Sequence, residues 1–333
     1  MGQPLRVSDI NAIVPNKVTE SSVTKFWKAV YQAVVFPFLD GISNTFFINS
    51  KLFAAALGLA LVAFSPKHAL ASFFCAALAV HYGRLLKADR AGIVPSSLAV
   101  NGVFLGLALA AFSASTSVLV AICLVAPALV GIFALISKRL LLPWNLPILV
   151  LPYILTMWVL WYVSAGTVNH WFRLPPGDVV SAISFNSLGA AYFRGFSEIF
   201  FVESEGLGVL VFVVLMAKFK KVGIEIALAA LYSLVVAWVV GFEGWVVMSG
   251  LTIFPAVFAV IACNAGFDKL DKSAKYLMVA GAPFLEMVAL RMGLFTGLPA
   301  ISLAYLLLVW GGILILSYRS QMEKTMWRTS GLK

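Results

Sequence analysis

A single carboxylate stands among aromatic residues in the segment RGFSEIFFVES, which covers residues 194–204. Glu198 is followed directly by Ile199, Phe200 and Phe201, and apolar segments come after them. An ionisable side chain is costly to place in a membrane-type sequence, so its presence there indicates a functional site. Ionised, it offers only hydrogen-bond acceptors, which suits a solute rich in N–H donors. The alternative interpretation is a core helix that happens to be rich in aromatic residues.

The segment has a counterpart 154 residues earlier, DGISNTFFINS at residues 40–50. The glycine, both serines and the phenylalanine pair recur, and Asn44 stands where Glu198 stands. Phe47 and Phe201 each follow three positions later, a spacing that predicts a shared helical face with Asn44 and Glu198. The pair of segments predicts two short half-helices that place an amide and a carboxylate at opposite ends of one pathway.

Composition places the chain in a membrane. Of its 333 residues, 62% are hydrophobic and 11% are charged, whereas soluble proteins carry roughly a quarter charged residues. The net charge of +10 comes from basic residues in short loops between apolar runs, where they set membrane topology. The sequence therefore predicts a polytopic protein in contact with the lipid bilayer, with no nucleic-acid partner.

The sequence carries no pattern typical of an enzyme or a metal site. The cysteines lie in apolar segments, and neither they nor the histidines have metal-ligand spacing. A nucleophile–base motif and a glycine-rich phosphate loop are also missing from the sequence. We therefore expect no catalysis, no metal and no cofactor.

Five apolar runs follow each aromatic segment, and each run is near the ~20 residues that a membrane-spanning helix requires. The runs cover residues 51–65, 69–86, 94–113, 116–137 and 144–165, then 205–218, 222–241, 246–266, 275–292 and 298–317. The predicted organisation is a cytoplasmic leader (1–23), a first repeat (24–165), a linker (166–180), a second repeat (181–317) and a cytoplasmic tail (318–333).

The last run of each half confirms the repeat within the sequence. NLPILVLPYILTMW at residues 145–158 matches GLPAISLAYLLLVW at residues 297–310. Five spans per repeat is an odd number, so the second repeat enters the membrane from the opposite side. The predicted fold is an all-α polytopic membrane protein, an inverted-topology duplication of five transmembrane helices plus one re-entrant half-helix per repeat.

The distribution of basic residues predicts the orientation. With this topology, 20 of the 24 lysines and arginines fall on the side of the N-terminus. Because cytoplasmic loops are enriched in these residues, both termini are expected to be cytoplasmic in an integral plasma (inner) membrane protein.

Aromatic rings and a helix break complete the predicted pathway. Phe104 and Phe258 come from equivalent spans, and rings flanking a gap would form a flat slot for a small, planar, neutral solute. Such a slot disfavours ions, because rings cannot replace an ion's hydration shell. Val150 and Ser302 each follow a Leu-Pro pair by three positions, where proline either frees carbonyls to line the passage or only kinks the helix.

The two Leu-Pro blocks, the run VNGVFLGLAL (100–109) and the GxSxxFF half-helices resemble the urea transporter family over residues 24 to 317. The resemblance implies a duplicated channel with two re-entrant half-helices, assembled as a homotrimer with a urea pore in each protomer. It assigns the pathway carboxylate to Glu198, the half-helix glutamine position to Asn44 and the central threonine positions to Val150 and Ser302. It also implies a phenylalanine slot formed by Phe47, Phe104, Phe201, Phe254 and Phe258.

Several positions depart from the pattern of that family. Asn44 is shorter than glutamine, Val100 occupies a usually aromatic substrate-binding position, and Val150 lacks the threonine hydroxyl that Ser302 keeps. Pro255 replaces an asparagine and Ala304 a second proline. Three functions therefore stay open: a passive urea facilitator, a facilitator of another small neutral amide or urea-like solute, and a proton-coupled secondary transporter in which Glu198 titrates.

Overall fold

The computed structural model describes residues 22–166, 172, 185–265, 267, 270–296, 298–299 and 302–329, and these are almost entirely helical. Most of the predicted leader and linker, and the last four residues of the tail, lie outside this part of the chain. The helices of the first half are α1 (Ser22–Val30), α2 (Phe36–Thr45), α3 (Lys51–Phe64), α4 (Pro66–Leu85), α5 (Pro95–Phe112), α6 (Thr116–Leu141) and α7 (Leu151–Ala165). A π-helical segment, Tyr31–Val35, joins α1 to α2.

The second half follows the same order. Its helices are α8 (Phe185–Ser197), α9 (Glu205–Phe219), α10 (Lys221–Val240), α11 (Gly244–Ser249), α12 (Ile253–Ala265), α13 (Lys272–Thr296) and α14 (Leu303–Thr329). Short 3₁₀ helices lie at Ala88–Ala91, Leu142–Trp144 and Glu198–Phe200. Helix α2 corresponds to α8, α3 to α9, α4 to α10, α5 to α11 and α12 together, α6 to α13, and α7 to α14.

The apolar helices fit a protein that crosses the bilayer several times. In the described residues, four helices are long and apolar enough to span a membrane: Pro95–Phe112, Thr116–Trp144, Val222–Val240 and Lys272–Gly293. Ser187–Phe200 and Glu205–Phe219 form a fifth candidate that bends by 78° at its break, as a re-entrant segment does. Shorter apolar helices complete the bundle, so the chain is an all-α polytopic membrane protein.

The repeated serines explain why both half-helices end in the same way. The Ser43 hydroxyl accepts a hydrogen bond from the Ser50 N–H at 2.9 Å, and Ser197 accepts one from the Ser204 N–H at 3.1 Å. Ser50 and Ser204 in turn cap α3 and α9, each accepting an N–H at 3.3 Å. These hydroxyls satisfy orphan donors at each turn, where water is scarce.

The glycines of the repeated segments allow close packing of the half-helices. A Cβ atom on Gly41 would lie 2.8 Å from the Ala99 carbonyl oxygen of α5, and one on Gly195 would lie 2.9 Å from the Gly250 carbonyl oxygen. Only glycine permits such an approach of two backbones. Each half-helix is thereby held against the third span of its own half.

The prediction of one continuous span over residues 246–266 is wrong. Helix α11 ends at Ser249 and α12 begins at Ile253, whereas the equivalent α5 is unbroken from Pro95 to Phe112. Pro255 explains the difference, because a proline has no N–H to donate and its ring would clash with the carbonyl of the preceding helical turn. The Ser233 hydroxyl donates to the Thr252 carbonyl at 2.5 Å and so satisfies one group freed by the break.

The predicted span over residues 144–165 is also shorter than expected, since α7 starts only at Leu151. The residues between Trp144 and Leu151 are irregular, and their Leu-Pro block faces that of the other half. Two tryptophans join the blocks reciprocally. Trp158 Nε1 donates to the Pro299 carbonyl and Trp310 Nε1 donates to the Pro147 carbonyl, each at 2.9 Å.

Candidate functional site

The phenylalanine after each half-helix lies in a turn rather than on the helix. Phe47 has φ 55° and Phe201 has φ 54°, both in the left-handed region. The Phe47 N–H donates to the Asn44 carbonyl at 3.0 Å, and the Phe201 N–H donates to the Glu198 carbonyl at 2.9 Å. The predicted shared helical face is therefore wrong, because the chain leaves the helix before either ring. A left-handed residue other than glycine costs about 1 kcal/mol, and both halves carry this cost.

A cavity of about 320 Å³ opens beside Asn44, and we call it the Asn44 cavity. The Asn44 side-chain amide donates to the Asp40 carbonyl of its own helix at 2.8 Å. Its side-chain oxygen is then left as an acceptor with no partner among the described residues. Half of the sequence-predicted site residues line this cavity: Asn44, Phe47, Val100, Phe104 and Val150.

The size of residue 100 explains why this side is open. Phe254 occupies the equivalent position of the second half, where it is buried and meets Phe258 edge-on with ring centroids 5.4 Å apart. Val100 is much smaller and leaves the corresponding volume empty. The valine at position 100 therefore has a structural consequence. The wall of the Asn44 cavity at Val100 lacks the ring that Phe254 supplies at the equivalent position of the second half.

Aromatic rings from both halves pack around Phe104 and Tyr305, two residues that line the Asn44 cavity. Phe104 stacks on Tyr153 at 5.3 Å and meets Phe201 edge-on at 6.5 Å, so the slot residues of opposite halves adjoin. Phe258 packs against Tyr305 at 5.1 Å and stacks on Phe46 at 5.3 Å.

Phe46 is a ring that the sequence analysis missed. It is fully buried, whereas its neighbour Phe47 is 39% exposed and lines the cavity. Adjacent phenylalanines in one motif give no sequence signal that separates the core ring from the cavity ring. The left-handed backbone conformation at Phe47 directs the Phe46 ring into the core and the Phe47 ring towards the cavity.

Glu198 lies in a more enclosed position than its counterpart. It belongs to the 3₁₀ turn Glu198–Phe200 and is 8% exposed, whereas Asn44 is exposed to the cavity. Its carboxylate makes no hydrogen bond within the described part of the chain. The two turns thus present acceptors of different charge, one open and one enclosed.

Asn101 holds the first Leu-Pro block and was not among the predicted site residues. It is fully buried, its amide donates to the Leu149 carbonyl at 2.7 Å, and its oxygen accepts from the Tyr153 N–H at 3.0 Å. Pro255 occupies the equivalent position and can make neither bond. The sequence did carry a signal for this residue, because the position that is Asn101 in one half is Pro255 in the matching span of the other half.

At three positions of the Leu-Pro blocks the carbonyl oxygen accepts a side-chain hydrogen bond, and the lining of the passage by freed carbonyls stays a prediction. The carbonyl of Leu149 is bonded by Asn101, and those of Pro147 and Pro299 are bonded by tryptophans. A carbonyl that already accepts a side-chain donor retains only its second lone pair for a solute. The blocks join the two halves through the tryptophan bonds, and Pro147 and Leu149 of the first block also line the Asn44 cavity.

Ser302 is buried and lies against the opposite half. Tyr153 Oη donates to Ser302 Oγ at 2.6 Å. The tyrosines of the Leu-Pro blocks were another omission, although their recurrence in both blocks was visible in the sequence. Ser302 is thus brought next to the Phe104–Tyr153 stack, and Val150 lines the Asn44 cavity together with Phe104.

The duplicated helices, the two half-helix turns and the ring cluster between them define a membrane transport protein for a small solute. Residues 36–317 match the family described as urea transporter (UT), so the chain belongs to the urea transporter family. Membership implies that the protein facilitates the permeation of urea. No individual curated protein matches the chain.

Proposed function

We propose that the protein is a passive, channel-like facilitator in which urea crosses a narrow, phenylalanine-lined pore. The observation that carries the proposal is the Asn44 cavity, which leads from a free amide oxygen to rings contributed by both halves. Phe47, Phe104, Phe201, Phe254 and Phe258 form the walls of the pore, and Glu198 accepts hydrogen bonds at its opposite end. Val100, Val150 and Ser302 set the width and polarity between these ends.

This arrangement suits the chemistry of urea. Urea is planar and neutral, and its N–H groups can donate to Asn44 at one mouth and to Glu198 at the other. Between the mouths its flat faces pass along ring faces, where weak N–H to ring contacts replace part of its hydration. An ion of similar size would lose its hydration shell in the same place without replacement, so the rings select against charge.

Uptake into liposomes containing the purified protein tests the proposal. We expect radiolabelled urea to equilibrate much faster than in empty liposomes, with no accumulation above equilibrium. Urea entry at the rate of empty liposomes would contradict the proposed function.

The small residue at position 100 supports a second candidate, passage of a slightly larger amide or urea-like solute. The Asn44 cavity is widened on the wall where Val100 replaces a ring. Parallel measurements with urea, N-methylurea and acetamide distinguish the candidates. Faster entry of either larger solute than of urea would identify it as the preferred substrate.

Proton coupling through Glu198 is a third candidate. Its enclosed carboxylate, which has no hydrogen-bond partner among the described residues, supports it. An imposed pH gradient provides the test. Accumulation of urea above its equilibrium concentration would favour this candidate, while simple equilibration favours passive permeation.

The assembly and orientation that we propose complete this function. Each protomer of a homotrimer in the plasma (inner) membrane carries its own pore, and both termini lie in the cytoplasm. The family supports the trimer, and the asymmetric distribution of lysine and arginine supports the orientation.

A further inference from the structure

Two tyrosines occupy equivalent positions in the Leu-Pro blocks. Tyr153 is fully buried and Tyr305 is 5% exposed. Each packs on the phenylalanine of the neighbouring span, Tyr153 on Phe104 at 5.3 Å and Tyr305 on Phe258 at 5.1 Å. Both rings thus pack on equivalent phenylalanines, Tyr153 stacked at an interplanar angle of 17° and Tyr305 tilted at 53°. Their hydroxyl groups also differ.

The Tyr153 hydroxyl has a protein partner, whereas the Tyr305 hydroxyl has none among the residues that the structure describes. Tyr153 Oη donates to Ser302 Oγ across the interface of the halves, at 2.6 Å. The residue equivalent to Ser302 is Val150, which has no hydroxyl to offer Tyr305. Across the described residues, no hydrogen bond is made to the Tyr305 hydroxyl.

Tyr305 lies at the Asn44 cavity. It lines that cavity together with Val150 and Phe104, although it comes from the other half of the chain. The Tyr305 hydroxyl is not one of the buried polar atoms that lack a hydrogen-bond partner in the described part of the chain. We therefore place it at the surface of the cavity, where a solute that enters can hydrogen-bond to it.

We propose that the Tyr305 hydroxyl is the hydrogen-bonding group that receives the solute in the Asn44 cavity. A hydroxyl can donate to the carbonyl of a urea-like solute and accept from its N–H groups. It supplies from the second half the polar contact that Val150 cannot supply from the first. This inference deepens the proposed function and rests on it for the identity of the solute.

The bond between Tyr153 and Ser302 strengthens the assignment. One lone pair of Ser302 Oγ is already occupied, so a solute at that position competes with a buried protein hydrogen bond. Tyr305 has no such competitor. The two walls at the centre of the molecule therefore differ, with an engaged hydroxyl pair on one and an available hydroxyl on the other.

The substitution Tyr305→Phe removes the hydroxyl and keeps the ring. In proteoliposomes we expect urea flux to fall about fivefold, since a net hydrogen bond contributes ~1 kcal/mol. Tyr162→Phe is the matched control, because Tyr162 is 79% exposed on the outer face of α7. Its flux should equal that of the wild type.

Moving the hydroxyl to residue 150 tests the position of the contact. In the double variant Tyr305→Phe with Val150→Ser, a hydroxyl returns to the same cavity and flux should recover at least in part. Failure to recover would overturn the proposal and leave Tyr305 with a packing role only. A Tyr305→Phe flux equal to the wild type would overturn it directly.

Thermal unfolding in detergent gives a readout that does not depend on the solute. Tyr305→Phe should keep the melting temperature, because its hydroxyl makes no hydrogen bond within the described residues, whereas Tyr153→Phe should lower it by breaking the bond to Ser302. A clear loss of stability in Tyr305→Phe would show a protein partner for the hydroxyl and overturn the inference. If liposomes that contain the wild-type protein pass no urea, that result contradicts the proposed function instead.

Discussion

At the scale of single residues, the two mouths differ more than their shared motif indicates. Asn44 and Glu198 occupy the same turn of equivalent half-helices, and each carbonyl accepts from the phenylalanine three positions later. The Asn44 side chain is neutral and exposed, whereas the Glu198 side chain is enclosed and carries a carboxyl group. In the proposed pore, an ionised Glu198 would be a stronger acceptor for the N–H groups of the solute than the neutral Asn44 amide.

The variant Glu198→Gln tests the contribution of this carboxyl group. We expect an intact fold and a urea flux reduced roughly tenfold if Glu198 acts as a carboxylate, because hydrogen bonds to an ionised acceptor are about twice as strong as neutral ones. Proteoliposome flux measures the loss, and the melting temperature verifies the fold. Glu203→Gln, at an exposed neighbouring position, is the control. Wild-type flux in Glu198→Gln would show that the charge is not needed.

The variant Val100→Phe tests the shape of the Asn44 cavity. The added ring should fill the empty volume and reduce N-methylurea entry roughly tenfold relative to urea, because pockets discriminate strongly on small volumes. The reciprocal Phe254→Val should open the second half and increase the relative entry of N-methylurea. Paired flux measurements provide the ratio. An unchanged ratio in both variants would mean that these positions do not control width.

At the scale of elements, an ion pair with reversed polarity joins each half-helix to the helix after it. Lys51 Nζ lies 2.5 Å from Asp40 Oδ1, and Arg194 lies 2.6 Å from Glu205 Oε1. Asp40 corresponds to Arg194 and Lys51 to Glu205, so the positions are kept while the charges are exchanged. Each pair bridges the turn that carries a site residue, Asn44 in one half and Glu198 in the other.

The exchange predicts that the first pair can be inverted. Asp40→Arg alone places two cations together and should lower stability by about 1 kcal/mol, as expected for a partly exposed pair. Adding Lys51→Glu should restore most of the loss. A small deficit should remain, because Lys51 also lies 4.3 Å from the Phe36 ring centroid and that contact is lost. The melting temperatures of the wild type, the single variant and the double variant test this prediction. A double variant no more stable than Asp40→Arg would contradict it.

The helices could be predicted because their apolar runs are long and the bilayer fixes their length. The interruptions of these helices could not be predicted from the sequence. The break between Ser249 and Ile253 depends on Pro255 and on the hydroxyl of Ser233, which belongs to another helix. The irregular stretch before Leu151 likewise depends on Asn101, which is distant in the sequence. Such contacts join residues whose proximity is not visible in a single sequence.

At the scale of the whole molecule, a duplicated sequence has produced two halves with the same helix order and unequal interiors. The duplication was readable from repeated motifs at a nearly constant spacing, and so was the membrane location. In the sequence, the difference between the two interiors is visible only as substitutions at equivalent positions, such as Val100 in one half and Phe254 in the other. Their effect required the structure, because an empty volume depends on how neighbouring spans pack around the smaller residue. The roles of Phe46 and Tyr305 were hidden for the same reason.

The reciprocal bonds of Trp158 and Trp310 have a consequence for the origin of the fold. Each tryptophan donates to a proline carbonyl of the opposite half, never of its own. A half-length ancestor with the same block could make the same bonds by pairing with a second copy, which in the predicted inverted topology enters the membrane from the opposite side. Such a gene product would have to insert into the membrane in both orientations in comparable amounts. Fusion of two copies removes that requirement and allows each half to diverge, as the two mouths of this protein have.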